Sequence, residues 1–122
     1  MRNILCVMLL AAAAGCASSE FKAAAKMEIG QVDLALVPDG EHLGTFACDG
    51  FDYRVSVAVK DHRIEAVKIL SNRDTKYAKK AEGVAPAILE RQTPKVDAVT
   101  GATVSSKMLM KAAENALRGA MK

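Results

Sequence analysis

The stretch VPDGEHLGTFACDGFDYRVSVAVKDHRIEAVKILS, residues 37–71, decides the fold. Three dipeptides punctuate it: Asp39-Gly40, Asp49-Gly50 and Asp61-His62. The first two are turn signals, because glycine enters positive φ without steric cost and aspartate tolerates it. HLGTFAC, before Asp49-Gly50, reads as a short strand. FDYRVSVAVK, after it, alternates: Tyr53, Val55, Val57 and Val59 fall on one face, Arg54, Ser56 and Lys60 on the other. A period of two belongs to a half-buried strand. RIEAVKILS follows Asp61-His62 and is rich in β-branched residues. Its alternation slips at Ala66-Val67, which predicts a bulge. The whole stretch predicts three antiparallel strands joined by short turns. Asp61-His62 stands at a hairpin position, so His62 must adopt a glycine-like conformation or the loop must change shape.

Downstream, DTKYAKKAEGVAPAILERQ (residues 74–92) places Tyr77, Ala81, Val84, Ala85, Ile88 and Leu89 at helical spacing. Gly83 and Pro86 oppose one continuous helix, because proline lacks a backbone donor and clashes with the preceding turn. A kink, or two short helices meeting near Gly83 to Pro86, is expected. TPKVDAV is a loop with room for a short strand. A last helix should run from Thr103 to Met121, with Leu109, Ala112, Ala113, Ala116, Leu117 and Ala120 on its apolar face. Arg118 and Lys122 suit the negative end of its dipole. The expected class is α+β, a small twisted antiparallel sheet packed by two main helices.

Upstream, MRNILCVMLLAAAAGC has a basic start at Arg2, an apolar stretch from Ile4 to Ala14 and small residues before Cys16. That is the layout of a secretory signal, and it is too short to span a membrane convincingly. AAGC resembles a bacterial lipobox, with Ala13 where leucine is usual and Cys16 as the lipidated residue. Two or more acyl chains give stable anchoring. An ordinary signal cut near Ala17 or Ser18 is the other reading. The expected organisation is a signal peptide over 1–15, a tether over 16–31 and one domain over 32–122. The expected location is the bacterial cell envelope, facing the periplasm or the exterior. After processing, Cys48 is the only cysteine left, so no internal disulfide is available, and a small buried hydrophobe is its plain role.

The chain has 122 residues, 51% hydrophobic and 25% charged, with net charge +3. One aliphatic core is what such a length supports. Three phenylalanines, two tyrosines and no tryptophan, with no arginine-rich block, give no sign of a nucleic-acid surface. His42 and His62 sit apart in turns without metal-ligand spacing, so no metal site is expected. No phosphate-binding P-loop, dinucleotide fingerprint or serine-hydrolase elbow is present.

VDAVTGATVSSKMLMKAA, residues 96–113, sets two threonines, a glycine and two serines where the last helix begins. A helix N-terminus presents unpaired N–H groups and partial positive charge, and a phosphate is stabilised there by both. Gly101 and Ala102 permit close approach, and Thr100, Thr103, Ser105 and Ser106 add hydroxyls. The same run also reads as an N-cap, with Thr100 capping and nothing bound. Read from the residues alone, both remain open.

Asp97-Ala98-Val99-Thr100-Gly101-Ala102-Thr103, followed by Val104-Ser105-Ser106-Lys107, resembles the flavinylation motif of the FMN-binding domain family. That family includes periplasmic flavin subunits of sodium-pumping quinone reductase and Rnf-type complexes. PDGEHLGTF resembles its opening turn and first strand, and residues 53–82 resemble its hairpin and following helix. The resemblance runs roughly from Val32 to Lys122. It implies covalent FMN on Thr103, joined through a phosphoester by a separate transferase that uses FAD and magnesium. Asp97, Gly101 and Ala102 match the pattern that such a transferase reads. It further implies an electron carrier rather than a stand-alone enzyme, acting with unidentified membrane or periplasmic redox partners. After the third strand the family often has a histidine-containing segment and a Pro-Gly turn, where this chain has Ser71 to Lys76. Arg73 or Lys76 could there favour a reduced, anionic flavin; a solvated loop charge is the plainer reading of each. The alternative from a different class is a lipoprotein binding or scaffold module of the same fold without covalent flavin.

Overall fold

The computed structural model describes residues 17–121. The expected signal peptide, Cys16 and Lys122 lie outside the described residues. The three strands form as expected: β1 (Gly40–Cys48), β2 (Phe51–Lys60) and β3 (Arg63–Ser71), antiparallel in the order β1-β2-β3. Both hairpin loops have two residues with positive φ, 53° and 77° at Asp49-Gly50 and 54° and 63° at Asp61-His62. This pairing of left-handed residues matches the right-handed twist of the strands. His62 does take the glycine-like conformation. The Asp61 N–H donates to Asp39 Oδ1 at 2.9 Å, fastening the second loop to the residue just before β1.

Ala58 pairs with Ala66 while Val59 pairs with Ile64, so Glu65 is an extra residue. Arg54 pairs with Ser71 and Val55 with Ile69, which leaves Leu70 extra. The bulge expected at Ala66-Val67 therefore falls one residue earlier, and a second lies near the end of the strand.

Tyr53, Val55, Val57 and Val59 are all buried, on the face that meets the helices. Arg54 and Lys60 point to solvent, but Ser56 is only 4% exposed. It sits in the central strand between Leu43 and Lys68, one on each neighbouring strand.

A short helix α1 (Ala17–Lys26) precedes the sheet. Helices α2 (Lys76–Ala81) and α3 (Val84–Arg91) follow it, separated at Glu82-Gly83, the second of the two expected alternatives. The loop after α3 holds no strand. The last helix α4 (Thr103–Ala120) lies across β1 and β2. Leu109, Ala112, Ala113, Ala116 and Leu117 are buried on it as expected, joined by Met108 and Met110, while Ala120 is half-exposed.

Gly44 lets α4 approach the sheet: a Cβ there would lie 2.0 Å from the Ala112 carbonyl oxygen and 2.4 Å from the Ala116 nitrogen. Alanines at both helix positions complete the close contact. Glu114 is 3% exposed, on the same helix. Its carboxylate accepts from Lys111 Nζ at 3.0 Å and from Arg118 Nε at 2.5 Å. Burial alone would push its pKa up; these hydrogen bonds and one from the Gly30 N–H outweigh it, and the net displacement is downward.

The segment read as a tether is partly built into this body. Helix α1 packs on α4, and Ala24, Ile29 and Val32 are in the core. Lys107 Nζ donates to the Ala25 carbonyl at 2.8 Å, and Arg118 Nη2 to the Gln31 carbonyl at 3.0 Å. Among the residues whose burial is described, Ala24 is the first in the core, ahead of Val32.

Candidate functional site

The N-terminus of α4 is shaped by the turn before it. The Ala102 N–H donates to the Val99 carbonyl at 2.9 Å, and Gly101 between them has φ +83°. Positive φ at the third position of a turn is the type II geometry that favours glycine. This turn carries the chain past Thr100, which is exposed and does not cap the helix. The cap residue is Ala102, and no side chain hydrogen-bonds there. The reading of Thr100 as the N-cap is thus corrected: the glycine turn delays the helix start to Thr103.

The first intrahelical bond runs from the Ser106 N–H to the Ala102 carbonyl at 2.8 Å. The N–H groups of Thr103, Val104 and Ser105 precede it and belong to the set that a helix leaves without partners. They converge with the positive end of an 18-residue helix. Thr103 is exposed at its first position. Gly101, Ala102, Thr103, Val104, Ser105 and Tyr77 line one open pocket of about 350 Å³. Lys80 reaches over the turn, its Nζ lying 3.2 Å from where a Cβ on Gly101 would stand. The donor set fits a phosphate: backbone N–H groups, two hydroxyls and a nearby ammonium. Gly101 itself adds no side chain to the approach.

The structure does not bring every expected residue to that pocket. Ser106 is fully buried, and its Oγ accepts from the Val99 N–H at 3.0 Å. It stitches the turn to the helix rather than facing the pocket. Asp97 and Thr100 are exposed in the loop and outside the pocket lining. Ala102 is 4% exposed and contributes backbone.

Two residues at the site were not legible as such. Helical spacing puts Tyr77 with an apolar face, but it is 59% exposed. The break at Gly83 puts α2 and α3 out of phase, and Ala78 and Ala81 become the buried residues of α2. Lys80 lies beside the turn only through the tertiary packing of α2 on α4. Arg73 is engaged in holding the hairpin. Its Nε donates to Tyr53 Oη at 2.8 Å, its Nη2 donates to the Cys48 and Asp49 carbonyls, and its guanidinium lies 4.8 Å from the Phe51 ring centroid. Burial pushes the Tyr53 pKa up, against the opposing Arg73 hydrogen bond. Lys76 is exposed on the first turn of α2.

Among the described residues, no group of histidines, cysteines and carboxylates could hold a metal ion. None of their helices is long and apolar enough to cross a membrane.

Residues 50–118 match the model of the FMN-binding domain, more than half of the chain. The match takes in β2, β3, the helices α2 and α3, the glycine turn and nearly all of α4. The chain belongs to the FMN-binding domain family, and FMN binding is the role that membership supports. No curated protein matches it. The match begins at Gly50, so the opening turn and β1 lie outside it.

Proposed function

We propose that this chain is an extracytoplasmic, lipid-anchored flavoprotein that relays electrons through FMN esterified to Thr103. Thr103 supports this best: an exposed hydroxyl on the first residue of a helix whose N-terminus carries no side-chain cap, inside the stretch matched to an FMN-binding family. A phosphate on that oxygen would lie against the Thr103 to Ser105 N–H groups, with Lys80 to balance its charge. In the transfer, a bond forms between Thr103 Oγ and the phosphorus of the FMN half of FAD. The anhydride bond to AMP breaks, and the hydroxyl proton is released. FMN, once held, supplies one- and two-electron chemistry; the protein orients and retains it. A covalent bond suits a compartment where a dissociated cofactor would be lost. The N-terminal signal layout and Cys16 support that compartment and the anchor.

The test is the intact mass of protein produced in a host that carries the transferase. A gain of one FMN, absent in Thr103→Ala and retained as fluorescence on a denaturing gel, is the expected result. No mass gain, with a competent transferase, FAD and magnesium present, would leave the scaffold reading standing. FMN that departs on denaturation would mean non-covalent binding.

A further inference from the structure

We infer that Tyr77 is the stacking wall for the flavin ring: its phenol lies against one face of the isoalloxazine carried by Thr103. This rests on the covalent reading above.

The first observation is exposure. Tyr77 is 59% exposed, although tyrosine ordinarily buries most of its ring area. The second is position. It lines the same pocket as Thr103 and the turn at Gly101. The third is rigidity. Thr75 caps α2, its Oγ1 accepting from the Ala78 N–H at 3.0 Å. Ala78 and Ala81 are 1% and 0% exposed, so the helix is pinned by its inner face. Tyr77 is thereby held on the outer face without a packing task of its own. A planar apolar surface next to an attachment point suits a planar, electron-poor ring, and aromatic pairs favour offset stacking. Lys80, one turn on, leaves the phosphate end cationic.

The sequence makes the test sharp. There are two tyrosines and no tryptophan. A phenol in contact with a flavin quenches its emission, and the other tyrosine, Tyr53, is 1% exposed and bonded to Arg73. Flavinylated wild type, Tyr77→Leu and Tyr77→Phe are compared, each with its mass gain confirmed first. Flavin emission is read folded and again in denaturant, with far-ultraviolet circular dichroism and the urea midpoint as controls for folding.

The expected result is emission quenched several-fold in the folded wild type and restored by denaturant. Tyr77→Leu should be bright while folded, with an unchanged urea midpoint. Tyr77→Phe should retain the visible circular dichroism of a stacked ring while losing much of the quenching. Equal emission from folded wild type and Tyr77→Leu would overturn the inference, whether the ring is free in solvent or lies elsewhere. One other place is the cleft lined by Met27, Ile29, Val96 and Met110. Absence of the mass gain would instead defeat the covalent reading, so the two failures are distinguishable.

Discussion

Gly44 permits the α4 backbone to touch β1, and no flexible side chain could move aside for a Cβ there, because the obstructing atoms are helix backbone. Gly44→Ala should therefore lower stability by about 1–3 kcal/mol or more, visible as a reduced urea midpoint. Glu114 offers a test in pH. Its pKa is held below the ordinary 4.5, so its contribution is present above that value and is lost as pH falls through the depressed pKa. Glu114→Gln should cost about 1.5–3 kcal/mol at neutral pH. The gap between variant and wild type, measured by urea denaturation at a series of pH values, should close below pH 4.5.

Legibility at this scale was uneven. Thr103 stood out because its neighbours formed a motif, whereas Glu114 did not, although Lys111 and Arg118 at three and four residues' distance were a readable clue. The motif sets Ser106 among the hydroxyls of the site, yet only folding shows that its Oγ turns inward to Val99.

At the scale of elements, periodicity carried most of the information. Strict alternation in β2 and the two short loops disclosed the sheet, and Gly83 with Pro86 disclosed the break between α2 and α3. The contribution of residues 24–32 was hidden, because its burial depends on α4, which lies far away in sequence. Removal of the segment up to residue 32 should lower both the urea midpoint and the slope of the transition, since less surface is buried.

The edge of β3 was equally hidden. Gln92, in a left-handed conformation at the end of α3, accepts from the Ile64 N–H at 2.6 Å and donates to its carbonyl at 3.0 Å. Its amide supplies the pairing that a further strand would give. Gln92→Ala should cost about 1–3 kcal/mol, because the Ile64 donor loses its partner. It should also speed amide exchange at Ile64 selectively.

For the whole molecule, the sheet has one covered face and one open face. Helices α2, α3 and α4 gather on the covered side, and the pocket at Thr103 opens where α2 meets the start of α4. The fold class was legible because each element announced itself locally. The pocket was legible only in part: the motif marked one wall, while Tyr77 joins it, with Lys80 beside the turn, through contacts between elements far apart in sequence. Under the proposed function, Cys16→Ser should move the protein from the detergent phase to the aqueous phase on partitioning while leaving the FMN mass gain intact. Loss of both together would indicate that flavin transfer depends on export rather than on the site alone.

The close fit at Gly44 also acts at a distance. Ala112 sits against the sheet nine residues beyond Thr103, about 13.5 Å along a helix. With α4 seated there, a small tilt would swing its far end. A single missing methyl in a strand outside the family match thus acts as a fulcrum for the helix end that carries Thr103, so under the proposed function substitutions at Gly44 should misplace the flavin as well as loosen the core.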